Sequence, residues 1–160
     1  MRELNQLLLD FGHKKNFTDQ DYYVSKSNYF AFNLINKWPN WEKRILNICG
    51  EKFSGKTHLA NIFKSKTNAF LVKENKIDEA IFNKIKLSEN IIIDDFKNTL
   101  DEKITYSIFN LIDQDNKFLL VNSLEPINEI HFKLPDMVSR SKNCLFAKID
   151  SPDDDLIFAI

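Results

Sequence analysis

Five short apolar runs punctuate the chain, at Ile45–Cys49, Asn68–Val72, Asn90–Asp94, Phe118–Asn122 and Leu145–Ile149. Each is nearly continuous, the pattern of a strand covered on both faces, where an alternating run would mark a strand with one wet side. Between them the apolar residues recur at helical spacing, around Thr57–Ser65, Asp78–Lys86, Asp101–Asp115 and Pro135–Ser141. A further amphipathic stretch, Ser27–Lys37, precedes the first strand, with Ser25 or Ser27 in place to cap it. Strands alternating with helices predict an α/β domain with a five-stranded parallel sheet and helices on both faces. Residues 1–20 have little periodicity beyond Leu7-Leu8-Leu9 and read as an arm, and residues 21–150 read as the domain. Residues 151–160, with Asp153-Asp154-Asp155 before Leu156-Ile157-Phe158, read as the first turns of a helix whose continuation is expected downstream.

A chain of 160 residues suits one domain and buries about 70% of its unfolded surface. At 43% hydrophobic, with 14 phenylalanines, it has ample material for a core. A formal charge of −1 supplies no global attraction to nucleic acid or to an anionic membrane, and no sequence-specific DNA binding is expected of it. Basic residues are almost all lysine. Arginine occurs only at positions 2, 44 and 140, and lysine does not reproduce its planar fork, so each arginine invites scrutiny. Cys49 and Cys144 fall in or beside predicted buried strands and read as core residues of a reducing compartment. No apolar run approaches the roughly 18 residues that span a bilayer. Glu3 and Asp10 flank the N-terminal leucines and spoil them as a signal peptide, so a cytoplasmic location is expected.

The chemistry begins after the first strand, where Gly50-Glu51-Lys52-Phe53-Ser54-Gly55-Lys56-Thr57 fits the phosphate-loop pattern without a mismatch. A strand before the loop and a helix after it let backbone N–H groups and the helix N-terminus converge on an anion. In that arrangement Lys56 neutralises phosphates and the Thr57 hydroxyl binds Mg²⁺. A plain glycine turn between strand and helix is the weaker alternative.

Ile91-Ile92-Ile93-Asp94-Asp95 is an apolar strand that ends in two carboxylates. Downstream of a phosphate loop it suits Asp94 as a Mg²⁺ ligand and Asp95 as the group that orients an attacking water. On its own it reads equally as a strand followed by an acidic turn. Asn122, closing the fourth strand, reads either as a polar group aimed at the terminal phosphate or the attacking water, or as a turn cap. Arg140 reads as an arginine finger acting on a neighbour's nucleotide or as a surface arginine that suits a helix C-terminus. His13, His58 and His131 are too scattered for a metal site, and His58 belongs to the helix after the loop.

Taken together, these residues resemble the DnaA branch of the AAA+ ATPases. Gly55-Lys56-Thr57-His58-Leu59 is similar to that branch's G-K-T-H-L. Asp21-Tyr22-Tyr23-Val24-Ser25-Lys26-Ser27-Asn28 is similar to its nucleotide-recognition segment, which implies that Tyr23 and Val24 pack near an adenine and that His58 belongs to the same site. The likeness runs from about Gln6 to Ile160 and implies a P-loop AAA+ three-layer sandwich that binds ATP or ADP with Mg²⁺ through Gly50, Ser54, Gly55, Lys56, Thr57 and Asp94. Within the branch, two features look more like the Hda-type regulators of DnaA. Gln6-Leu7-Leu8-Leu9-Asp10-Phe11 resembles the peptide that docks on the DNA polymerase III sliding clamp. There Leu7, Leu9 and Phe11 would fill apolar pockets while Gln6 makes a hydrogen bond. An apolar N-terminal element folded onto the domain is the alternative. Leu134-Pro135-Asp136-Met137-Val138-Ser139-Arg140 is similar to the Hda-type L-P-D-[LM]-x-S-R, which maps the family's trans-acting arginine onto Arg140.

Departures from the family shape the functional expectation. The branch's helical lid and its sensor arginine belong after residue 150, where only Pro152–Ile160 stand, and Leu124 occupies a position where relatives carry an acid. Weak or absent intrinsic ATPase activity is therefore expected. The leading expectation is an Hda-like regulator that binds nucleotide and clamp and promotes hydrolysis by DnaA, with self-association also open. A DnaA-like or helicase-loader ATPase is the second reading, and a weak nucleotide-binding remnant the third.

Overall fold

The computed structural model describes residues 24–73, 76–97 and 99–150. Five parallel strands form one sheet: β1 (Ile45–Gly50), β2 (Phe70–Val72), β3 (Asn90–Phe96), β4 (Phe118–Ser123) and β5 (Leu145–Ile149), in the order β2-β3-β4-β1-β5. Among the described residues five α-helices cover it: α1 (Tyr29–Lys37), α2 (Lys56–Thr67), α3 (Glu79–Leu87), α4 (Glu102–Gln114) and α5 (Pro135–Lys142). The expected three-layer α/β architecture is present.

Side chains along each strand divide between two cores, as the period of two demands. Leu46 and Ile48 of β1, Ile92 of β3, Leu120 of β4, and Ala147 and Ile149 of β5 pack with α1 and α2 through Phe32, Ile35, Leu59, Ile62 and Phe63. Ile45, Ile91, Ile93, Leu119 and Val121 face the other way and meet Ile85, Ile108, Phe109, Ile112 and Met137 of α3, α4 and α5. Both faces are dry, which is why the strands read as continuous apolar runs. Among the described residues no helix is long and apolar enough to cross a membrane.

Element ends follow local capping chemistry. Asp78 accepts from the Ile81 N–H, and Asp101 from the N–H groups of Lys103 and Ile104, starting α3 and α4. Asn68 takes a left-handed conformation (φ 54°) that closes α2, so β2 begins at Phe70 and not at Asn68. Neither Ser25 nor Ser27 caps α1. The N-cap position is Asn28, whose Oδ1 accepts from the Ser25 N–H while the two serine hydroxyls bond each other. That small turn is tied to the end of β5 by the Asp150 N–H, which donates to the Ser27 carbonyl. Burial pushes both thiols up, Cys49 moderately and Cys144 to about 12, so both are inert core groups at neutral pH.

One buried polar side chain anchors the open end of the sheet. Asn47, fully buried in β1, donates through Nδ2 to the Val121 carbonyl and to Ser123 Oγ at 2.9 Å, and its Oδ1 accepts from the Ile127 N–H at 3.0 Å. It thereby fixes the segment that follows β4 and the 3₁₀ turn Ile127–Glu129. Asn47→Ala leaves those groups unpaired in a dry environment. We expect it to cost about 2–4 kcal/mol in urea unfolding, well above an exposed Asn→Ala control.

Candidate functional site

The loop between β1 and α2 is built by close approach. A Cβ on Gly50 would lie 2.8 Å from Ser54 Oγ and 3.0 Å from the Ile149 carbonyl oxygen, so only glycine fits where β1 passes β5. Gly55 (φ 103°) turns the chain into α2, and Phe53 sits at φ 65°, a conformation that costs a bulky residue roughly 1 kcal/mol or more. The first turn of α2 carries no acidic residue of its own, and the carboxylate beside its positive end comes from β3. Lys56 folds over the loop, its ammonium donating to the carbonyls of Gly50 and Glu51. Burial lowers its pKa, and the carboxylates of Asp95 and then Asp94 oppose that shift.

β4 lies between β1 and β3, which brings the two halves of the site together. Thr57 Oγ1 donates to Asp94 Oδ2 at 3.1 Å. Asn122 Nδ2 donates to Asp94 Oδ1 at 3.1 Å and to the Lys56 carbonyl at 2.9 Å. Asp95 (φ 57°) occupies an irregularity between Ile93 and Phe96, is exposed, and pairs with Lys97 at 3.4 Å. These groups border a cleft of about 820 Å³ lined by the loop from Lys52 to Thr57 together with Lys73, Asp94, Asp95 and Leu124. A second hollow, of about 470 Å³ at the far end of α2, gathers Asn61, Lys64, Ser65 and Asn68 without any acidic partner.

The cleft fits a polyphosphate with a divalent cation. Lys56 and Lys52 supply positive charge beside a helix N-terminus. Thr57 and Asp94 make a sparse pair of oxygen ligands, the kind that leaves a Mg²⁺ mostly to phosphates and water. Asn122 Oδ1 and Ser54 Oγ are buried without a hydrogen-bond partner, two acceptors left open beside the loop.

The structure therefore brings together Gly50, Ser54, Gly55, Lys56, Thr57, Asp94, Asp95 and Asn122. His58 is half-buried on α2 and is not among the side chains that line the cleft. Val24 is buried in the core with α1 and α2, on the segment tied to β5. Arg140 lies away from the cleft on α5, its guanidinium held by Asp113 and Asn110 of α4. Tyr23, the candidate clamp residues Gln6, Leu7, Leu9 and Phe11, and residues 151–160 lie outside the described residues. Sequence reasoning passed over Lys73, which rims the cleft, and gave Phe53 no role beyond its place in the loop pattern; Leu124, already marked in the sequence as standing in place of an acid, rims the cleft as well. Lys73 follows β2 directly, and the rule that ligands gather at the carboxyl ends of parallel strands points to it.

No family model and no curated protein matches the sequence. Solved structures match the fold. The AMPPCP-bound DnaA from Aquifex aeolicus superposes with a TM-score of 0.71 at 17% identity, over 91% of this chain and 53% of that one. Domain III of the Thermotoga maritima replication initiation protein DnaA gives 0.68 at 20% identity, over 89% and 70%. The DnaC helicase loader gives 0.55 at 14% identity, over 93% and 99%. The fold is the AAA+ fold. The chain spans about half the length of the DnaA structure it matches from Aquifex aeolicus, and at these identities the likeness carries the fold alone.

The balance of forces on Lys56 is measurable. Because Asp94 and Asp95 raise its pKa against burial, replacing both by asparagine should move its titration further down. NMR of ¹³Cε-labelled lysine checks this, and an unchanged or upward shift would contradict the electrostatic account.

Proposed function

We propose that the chain is an Hda-like regulator of replication initiation. In this reading it binds ATP or ADP with Mg²⁺ in the cleft, docks on the sliding clamp through Gln6–Phe11, and promotes ATP hydrolysis by DnaA through Arg140. The observation that carries the nucleotide part is the chain of hydrogen bonds joining Thr57, Asp94 and Asn122 beside the folded loop. When a nucleotide binds, Lys56 exchanges its loop carbonyls for phosphate oxygens, and the added negative charge offsets the burial that lowers its pKa. Thr57 and Asp94 would hold the cation, and the charge it would supply is positive charge against the phosphates. Asn122, fully buried behind the cleft, keeps Asp94 aimed at Thr57 through its amide.

Turnover by the chain itself is secondary in this scheme. Asp95 is paired with Lys97, and Leu124 lines the cleft where an acid would help. Hydrolysis is instead promoted in the partner, where an arginine stabilises charge that develops on the phosphate. The arm adds effective concentration at the clamp and no catalytic group. One observation favours a second reading, an initiator or helicase-loader ATPase: the match to the DnaC helicase loader covers 99% of that chain. That reading requires DNA-dependent turnover that is lost in Lys56→Ala, with an affinity that falls as salt rises.

Two assays separate them. The chain should bind the sliding clamp, and Gln6→Ala with Phe11→Ala should abolish binding without unfolding the domain. Clamp-bound chain should raise hydrolysis by DnaA, and Arg140→Ala should remove about a thousandfold or more of that effect with clamp binding intact. Stimulation that survives Arg140→Ala sinks the proposal, and robust DNA-dependent turnover without clamp binding moves the assignment to the second reading.

A further inference from the structure

Arg140 has company that a freely presented finger does not need. Its Nη1 donates to the Asp113 carboxylate, and its Nη2 donates to Asn110 Oδ1 at 2.7 Å. The guanidinium carbon lies 6.0 Å from the centroid of the Tyr106 ring. Tyr106, Asn110 and Asp113 are spaced four and three apart, so they form one stripe along α4 facing α5. Phenol ring, amide oxygen and carboxylate along that stripe make a cradle shaped for a planar cation.

The position of Asp113 suits it to a cationic partner. It sits in the last turn of α4, where the helix dipole disfavours a carboxylate, and that turn has no basic residue of its own. Arg140 is the cation that answers it. The side chains are 29% and 32% exposed, shielded enough to pair well and open enough for solvent or a partner to reach. At the other end of α4, Glu102 accepts from the N–H groups of Lys133 and Leu134, so α5 is tied to α4 at both ends. Arg140 therefore cannot swing away while the pair holds.

Both terminal nitrogens of the guanidinium are committed, and a phosphate would claim the same fork. We propose that Asp113 and Asn110 form a latch that holds Arg140 on α4, and that a phosphate group presented by a partner releases it by competing for those donors. The proposal rests on the reading of Arg140 as trans-acting. Asp113 is a positioning residue: it touches no substrate and acts by setting how readily Arg140 is delivered. A multiply charged phosphate outcompetes a single carboxylate, whereas an uncharged surface does not, so the latch restricts the arginine to nucleotide-bearing partners.

The chain has only two other arginines, Arg2 and Arg44, so modification at Arg140 can be followed peptide by peptide. The full chain is treated with phenylglyoxal and labelling is read by mass spectrometry. Arg44 is the internal reference, since its own partners are the Phe118 ring and the Asn116 carbonyl. Asp113→Asn keeps the shape and removes the charge; it should raise labelling of Arg140 about fivefold relative to Arg44, the change expected when a half-exposed ion pair is lost. Asn110→Ala should raise it less. Asp113→Asn should also stimulate hydrolysis by DnaA at lower concentration than wild type. Unchanged or reduced labelling in Asp113→Asn overturns the latch, and a lower melting temperature alongside it identifies a purely structural pair. If labelling rises but neither wild type nor variant stimulates DnaA, the latch stands and the trans-acting reading falls.

Discussion

Parallel register at the middle of the sheet is the constraint on which the site depends. β4 pairs with β1 so that Asn122 stands opposite Ile48, and with β3 so that Val121 stands opposite Ile93. The next pair on that side is Ser123 with Phe96, so Asp94 and Asp95 together face the single residue Asn122. This is the two-against-one geometry of a bulge, which breaks the strict alternation of side chains and re-aims them. Asp94 is turned inward toward Thr57 and Asn122, and Asp95 outward to Lys97. Each carboxylate thus meets a different environment although the two are adjacent in sequence.

The region below this junction is stiff and the region above it is open. Asn47 commits both amide hydrogens and its Oδ1 to holding the end of β4 and the turn that follows. The glycine contact of Gly50 with Ser54 and Ile149 locks β1 to β5 at the mouth of the loop. A buried polar network that is fully satisfied resists rearrangement. Ser54 Oγ, left without a partner, lies at the cleft, and Asn122 Oδ1, also without one, is buried behind Asp94. The face formed by α4 and α5 is organised differently: its polar groups are paired with one another, and Arg140 is tied into them. The cleft and the α4–α5 face thus occupy separate parts of the fold, the first bordered by polar groups without partners and the second closed by an ion pair.

Among the described residues periodicity located the five strands and five α-helices because each obeys a local rule. A strand dry on both faces is a continuous apolar run, and the helices show their buried stripe at 3.6-residue spacing. Ends were less readable: Asn68 stops α2 through a left-handed conformation that no apolar pattern encodes, and Asn28, not a serine, holds the N-cap position of α1. Of the candidate site, Gly50 to Thr57 was visible because a contiguous loop writes its geometry into consecutive residues. Asp94 and Asn122 were visible because each ends an apolar strand. Lys73 was not singled out, since nothing local marks a residue that merely faces a cleft assembled from several strand ends.

Order along the chain was enough for the element sequence, the phosphate loop and the strand-end carboxylates, since hydrophobic period and turn chemistry act over a few residues. It was not enough for the pairing of Asn122 with Asp94, the closure of Asn47 on Ile127, or the capture of Arg140 by Asp113, which join residues 28, 80 and 27 positions apart. Those contacts exist because strand order places β4 between β1 and β3 and packs α5 along α4. A side chain's partner across such a distance is chosen by packing, and packing belongs to the folded whole.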